Sequence, residues 1–282
     1  MSQTWLRLAP AKINLNLRIL GKRPDGFHEL ETLMVPISLA DQLTFQKREQ
    51  GISMTCSDST LPCDATNLVW KAATLFFQTY TVDGGIQIHL EKKTPHGAGL
   101  GGGSSDAATV LLALREIYQV EVSDEALAVL SSQMGSDIPF FIYQQAAWCR
   151  GRGEIIEPIE LLSSYQGILV HPGFAVPTPW AYQTYAQNPS RGESGVDLGF
   201  VILQNDLEPA VFSKYAWIPT VKRWFQEQPE VLDSMMSGSG SAVFALIKSG
   251  ENRKAVFDRF RAEFGDDLFS VLFEFLGKNK RS

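Results

Sequence analysis

Residues 95–108 read PHGAGLGGGSSDAA, and five of the seven positions from Gly97 to Gly103 are glycine. Upstream, Ile86, Ile88 and Leu90 alternate with Gln87, His89 and Glu91, the two-residue period of a strand. Downstream, Ala107 to Tyr118 is apolar-rich and free of glycine and proline, which predicts a helix. A glycine held in ordered structure costs roughly 0.5–1 kcal/mol relative to alanine, so five of them need an offsetting interaction. An anion supplies one. Backbone N–H groups without side chains can wrap it closely, and the N-terminus of the following helix adds about half a positive charge. Ser104 and Ser105 stand at the helix mouth, either as N-caps or as hydroxyls for phosphate oxygens or a phosphate-bound Mg²⁺. Gly97, Gly99 and Gly102 fit GxGxxG formally, but Lys92 to His96 make the approach too long for a dinucleotide turn. There is no GxxxxGK[ST], and the HRD and DFG motifs of protein kinases are absent.

Before this loop, residues 5–19 alternate apolar and polar, with a bend expected near Pro10, and Pro24-Asp25-Gly26 is a turn signal. The run FHELETLMVPISLADQLTF then reads as a second strand, so a hairpin with a longer loop is expected. Asn67 to Tyr80 has helical periodicity. Ser123 is expected to cap a helix through Met134, with Gly135 as its left-handed C-terminal residue. Residues 171–180 carry three prolines and a glycine and are expected to form a loop, as is the polar stretch 186–200. A helix over Val221–Met236, a loop SGSGS at 237–241, a strand AVFALI at 242–247 and a last helix from about Asn252 complete the pattern, and the basic end KNKRS reads as a solvated tail. Clustered strands predict a mixed α+β fold with mainly antiparallel sheets. Two domains are expected, 1–157 and 158–282.

The chain has 282 residues, enough for two cores, with 44% hydrophobic and 20% charged residues. Its net charge of -6 argues against tracking nucleic acid. Charges inside the first apolar stretch and the absence of an 18-residue apolar run predict a cytoplasmic protein with no membrane partner. Cys56, Cys63 and Cys149, with four scattered histidines, match no metal framework, so no protein-built metal site is expected.

Two charged residues stand out. Lys12, Asn14 and Asn16 share the polar face of the first strand, and Asp137 in GSDIPFF precedes a strongly apolar stretch where an unpaired carboxylate is costly. Phosphoryl transfer to an alcohol needs a carboxylate to take the proton and a cation to offset charge.

With these residues in view the chain resembles the GHMP kinase superfamily. PAKINLNLRILGKRPDGFHELET (10–32), PHGAGLGGGSSDAA (95–108) and SGSGSAVFAL (237–246) look like its three motifs, and HPGFAVPTPWAY and QNDLE look like the branch acting on a cytidyl diphosphate. The resemblance implies two α+β domains, the first ATP-binding, with the substrate in a groove between them. It implies ATP-dependent, direct in-line phosphorylation of the C2 hydroxyl of 4-diphosphocytidyl-2-C-methyl-D-erythritol, with Mg²⁺ carried by the nucleotide and no obligate protein partner. Carried over by residue, Asp137 matches the base and Lys12 the lysine beside it, which would keep Asp137 ionised. Pro95, His96, Gly97, Ala98, Gly99, Leu100, Gly101, Gly102, Gly103, Ser104 and Ser105 would hold the ATP phosphates, His96 in a variable slot with no chemistry of its own. Asn14 and His28 match substrate contacts, Phe27 stands where the family often has a tyrosine stacking on cytosine, and Tyr182 matches the ring on the base's other side. A different alcohol substrate within the superfamily remains the main alternative.

Overall fold

The alternation near the N-terminus becomes β1 (Thr4–Lys22), and the run after the Pro24-Asp25-Gly26 turn becomes β2 (His28–Arg48). In the computed structural model, which describes residues 3–161 and 164–277, the turn closes with Arg23 N–H donating to the Phe27 carbonyl at 2.8 Å. Gly26 sits there at φ +86, a conformation that favours glycine. The two strands are neighbours in the sheet. After them come β3 (Gly51–Cys56), α1 (Leu68–Tyr80), β4 (Gly85–Glu91), α2 (Gly102–Ile117), α3 (Asp124–Ser131), α4 (Ile138–Tyr143), β5 (Ala147–Gly151) and β6 (Ile155–Pro158). The remaining elements are β7 (Gln166–His171), α5 (Thr178–Gln187), β8 (Gln204–Asn205), α6 (Glu208–Phe212), α7 (Trp217–Gln226), β9 (Val231–Met236), β10 (Val243–Ile247), α8 (Arg253–Phe264) and β11 (Phe269–Glu274).

The chain forms two compact units. One takes the residues up to Ala11, Leu39–Thr94 and Gly101–Gln144; the other takes Lys12–Ser38, Pro95–Leu100 and the residues from Gln145 onward. The division is discontinuous, where the sequence suggests one cut between 157 and 158. Strands of 19 and 21 residues extend about 60 Å or more at roughly 3.3 Å per residue, so β1 and β2 each supply residues to both cores.

In the first unit β3 runs parallel to β4, and β4 pairs antiparallel with β2 from Gln42↔Glu91 to Arg48↔Gly85. Helix α2 packs against α1 and α4, and α3 against α4. Asn67 caps α1, its side chain accepting from Val69 N–H at 2.9 Å, and Val69, Ala72, Ala73 and Phe76 form the buried face. In the second unit an antiparallel sheet has the order β11-β7-β10-β9. Strand β10 is buried at every position, and the α7 and α8 rings Phe225 and Phe260 stack in the core beside it at 5.2 Å. Strand β8 lies parallel to β1, pairing Asn16↔Gln204 and Leu17↔Asn205. No helix among the described residues is long and apolar enough to cross a membrane.

Four local expectations change. The run 221–236 is two elements, because Pro229 stops α7 and Val231–Met236 finds a long-range partner in β10. Helix α3 ends at Ser131 with a right-handed cap at Ser132, and Gly135 is not left-handed. Residues 178–180 open α5, since Pro179 fits a first helical turn that needs no N–H from it. Helix α2 starts at Gly102, five residues before Ala107, capped by Gly101 at φ 69. Ser104 and Ser105 are therefore first-turn residues and not caps. Of the stretch 186–200 expected to be a loop, 186 and 187 instead end α5 and 188–200 lie outside the helices and strands, while the KNKRS end lies outside the described residues.

Candidate active site

The glycine loop turns its carbonyls into the protein. Ala98 O accepts from Ala242 N at 3.1 Å, Leu100 O from Lys12 N at 2.9 Å and Gly101 O from Ser105 N at 2.9 Å. Gly99 O takes Lys12 Nζ at 2.8 Å and Ser237 Oγ at 3.1 Å. Among the described residues, the amides from Gly97 to Gly101 donate to no main-chain carbonyl. Gly97, Gly99 and Gly101 alternate at φ +66, +76 and +69 with residues that do not have positive φ, the dihedral pattern of a backbone concavity for anions. The Ser105 hydroxyl is buried and has no hydrogen-bond partner, like that of Thr94 just before the loop. Free amides, a helix start and unpartnered hydroxyls fit a polyphosphate and the hard cation it carries.

Three charges brace the first unit's end of this loop. Lys92 Nζ bridges Asp41 and Asp106, reaching Asp106 Oδ2 at 2.9 Å, and Asp41 Oδ1 accepts the Lys93 and Thr94 N–H groups at 2.6 and 2.7 Å. A Cβ added to Gly102 would lie 3.0 Å from Thr94 Cγ2 and 3.2 Å from Lys92 Nζ, so only glycine fits over this ammonium without displacement. Burial pushes the Asp106 carboxyl up to about 7 against the attraction of Lys92. Because its folded value lies above its ordinary 3.8, the folded state binds more protons between the two, and its contribution to stability falls as pH rises through that window. Asp106→Asn removes this slope. Urea midpoints measured from pH 4 to 8 are expected to show the variant gaining on wild type up to about pH 7 and holding level above it; a pH-independent difference would refute the assignment. None of these three residues was singled out from the sequence, where the only signal is a lone aspartate inside the apolar run LADQL.

Lys12 and Asn14 are brought together in the second unit. Both are buried on β1, with Lys12 Nζ donating to Asn14 Oδ1 at 2.6 Å and Asn14 Nδ2 to Thr32 Oγ1 at 2.8 Å. Asn16, the third residue of that face, donates to Ile202 O at 3.1 Å. The SGSGS turn belongs to the same cluster, since a Cβ at Gly238 would stand 3.3 Å from both Lys12 Nζ and Asn14 Oδ1.

Asp137 lies in the first unit, directly before α4, at φ -85, ψ -14. Pro139 in the first turn and the buried Ile138, Phe140 and Phe141 fix the helix start. The half-buried Asp137 side chain makes no capping hydrogen bond, so helix formation does not consume its carboxylate.

The aromatic positions fall into two contacts. His28 stacks on Tyr182 at 5.4 Å and 24°, with Tyr185 edge-on at 6.1 Å. Phe27 is 53% exposed and carries the Arg152 guanidinium 4.9 Å from its centroid. Burial, and after it the charge of Lys22, hold the His28 imidazole below its ordinary value, leaving a neutral ring with one donor and one acceptor at pH 7. His96 is exposed. Among the described residues no group of three or more His, Cys, Asp or Glu is arranged to hold a metal ion.

Comparison with known proteins extends these observations. The family model for the GHMP kinases N terminal domain matches residues 67–145, and that for the GHMP kinases C terminal matches 194–266. The chain is 45% identical to 4-diphosphocytidyl-2-C-methyl-D-erythritol kinase of Methylacidiphilum infernorum over 95% of this chain and 96% of that one. It is 40% identical to the protein of that name from a Geobacter species, over 85% and 88% of the two chains. A crystal structure of 4-(cytidine 5'-diphospho)-2C-methyl-D-erythritol kinase superposes with a TM-score of 0.82 at 34% identity, covering 97% of this chain and 100% of the other. Homoserine kinase of Cytophaga hutchinsonii shares the fold at 18% identity and a TM-score of 0.69, over 98% of this chain and 96% of its own. With such similarity along almost the whole of both chains, this chain belongs to the GHMP kinases, ATP-dependent small-molecule kinases with a two-domain α+β fold, and within them to the family named for 4-diphosphocytidyl-2-C-methyl-D-erythritol kinase.

Proposed function

We propose that this chain transfers the γ-phosphoryl group of ATP to the C2 hydroxyl of 4-diphosphocytidyl-2-C-methyl-D-erythritol, a step in making isoprenoid precursors by the non-mevalonate route in the cytoplasm. Asp137 takes the hydroxyl proton, the oxygen attacks the γ-phosphorus in line, and the bond to the β-phosphate oxygen breaks to release ADP. Lys12 supplies positive charge to the attacking oxygen, and Asn14 orients both the ammonium and the substrate. The backbone from Pro95 to Ser105 holds the phosphates, through the N–H groups from Gly97 onward, the start of α2 and the hydroxyls of Ser104 and Ser105. Mg²⁺ bound to the nucleotide would neutralise phosphate charge, and the buried, unpartnered Ser105 hydroxyl is an oxygen that could help hold it. Residues 1–157 are assigned as the ATP-binding domain and 158–282 as a domain that contributes to the substrate groove together with Asn14, Phe27 and His28 of the first.

The observation that supports this reading most is the loop in which the carbonyls of Ala98 to Gly101 are engaged by the protein while, among the described residues, the amides from Gly97 to Gly101 donate to no main-chain carbonyl. Identity of the acceptor rests on the relatives' names and on Phe27, His28 and Tyr182. A coupled assay of ADP release should respond to the cytidyl substrate and not to mevalonate or homoserine; release with another alcohol alone would replace the proposed acceptor.

Phe27 is assigned to cytosine stacking, its phenyl keeping the π-face without a phenolic hydroxyl. Phe27→Ala is expected to raise KM for the cytidyl substrate about tenfold, the usual scale for losing one base–aromatic stack, with KM for ATP within about twofold of wild type. Equal losses for both ligands would contradict the stacking.

A further inference from the structure

The motif QNDLE at 204–208 has no part in the chemistry above, yet three of its polar side chains are buried: Asn205 is fully enclosed, and Asp206 and Glu208 nearly so. Asp206 holds the end of β1 and the loop before β8, accepting from Ile19 N at 2.9 Å and Gly192 N at 3.0 Å. Asn205 faces elsewhere. Its Nδ2 donates to both Met236 O and Gly238 O at 2.8 Å, and its Oδ1 accepts from Leu207 N at 2.9 Å. Both amide protons are thereby spent on two carbonyls of one turn. Glu208 grips the same place from the other side, with Oε1 accepting Met236 N at 2.9 Å and Oε2 taking Lys222 Nζ at 2.6 Å.

The segment held in this way, Met236–Gly238, lies against the proposed catalytic lysine. Ser237 Oγ and Lys12 Nζ donate to the same carbonyl, that of Gly99. Gly238 approaches Lys12 Nζ and Asn14 Oδ1 so closely that an added Cβ would stand at 3.3 Å from each. Register helps, since Asn205 pairs with Leu17 on the strand that carries Lys12 and Asn14.

We propose that Asn205 is a positioning residue for phosphoryl transfer: through the Met236–Gly238 turn it fixes the Gly99 carbonyl and the Lys12 ammonium in their working places. This rests on the reading of Lys12 as catalytic. A hydrophobic side chain of similar size could fill the space but would leave two buried carbonyls unpaired, and a carboxylate would repel them.

The test is a double-mutant cycle on the full chain with Asn205→Asp and Lys12→Ala, followed by kcat and KM for ATP. Asn205→Asp is expected to lower kcat on the order of 10- to 100-fold at pH 8 while KM for ATP moves less than about threefold, the signature of an interaction used in turnover and not in binding. Relative to wild type its kcat is expected to recover severalfold toward pH 6, because a protonated carboxyl regains one donor for the turn. In the Lys12→Ala background the same substitution is expected to cost less than about threefold, since residues acting as a unit are not additive. Should Asn205→Asp fail to fold, Asn205→Ser, smaller and uncharged, carries the same cycle without the pH recovery. Full additivity, or a lowered melting temperature with unchanged kcat, overturns the proposal. Wild-type turnover in Lys12→Ala alone would instead overturn the reading of Lys12, and this inference with it.

Discussion

Asp137→Asn is expected to lose turnover by a factor on the order of 10² to 10⁴, the range for removing a general base, while ATP and the cytidyl substrate still bind. That loss corresponds to about 3–5 kcal/mol of transition-state stabilisation at 1.36 kcal/mol per decade. The substitution is well suited to reading chemistry. Asparagine has nearly the same shape, Asp137 makes no capping hydrogen bond that folding would miss, and asparagine is itself tolerated ahead of a helix. Stability should therefore stay within about 0.5 kcal/mol of wild type. Single-turnover rates with calorimetric ATP binding separate the two effects, and turnover near the wild-type rate would remove Asp137 from the reaction.

Gly99→Ala is expected to damage both the fold and nucleotide binding. Gly99 sits at φ +76, and a Cβ there would lie 2.2 Å from Ser237 O and about as close as 3.1 Å to Gly240 O. These neighbours are backbone atoms and cannot swing aside. Left-handed backbone costs a non-glycine residue about 1–2 kcal/mol, and overpacking adds about 1–3 kcal/mol, so a melting-temperature drop on the order of 5–10 °C follows. The displaced loop should raise KM for ATP at least about tenfold, because its amides no longer converge on one anion. Gly21→Ala is the control: nothing stands within 4 Å of its added Cβ, and it should be close to neutral. Unchanged stability and ATP affinity in Gly99→Ala would show that the loop has slack which its contacts do not suggest.

Much of the architecture is legible because its signals are local. Asn67 and Asn252 announce helices α1 and α8 by accepting N–H groups two or three residues on. Pro24-Asp25-Gly26 announces a turn through φ preferences alone. The glycine loop is legible for the same reason, since glycine density reports how closely backbone must approach something. The stretch 231–236 shows the limit. Its sequence VLDSMM has no strand period, and it becomes β9 because β10 offers it a partner.

The site divides along the same line. Residue types at short, fixed spacings were enough to mark the glycine loop as a candidate anion site and to show the family to which the chain belongs, and resemblance to that family's motifs is what singles out Lys12 and Asp137 as candidates. Tertiary structure alone decided that the loop's carbonyls face inward, that Lys92 is clamped by Asp41 and Asp106, and that Asn205 holds the turn beside Lys12. The partners of Lys92 and Asn205 are separated by 14 to 51 residues in sequence and those of the Gly99 carbonyl by 87 and 138, and a hydrogen bond or ion pair at that range leaves no periodic trace. It exists only once folding has removed water from both partners and left each with the other as its means of satisfying charge or hydrogen bonding.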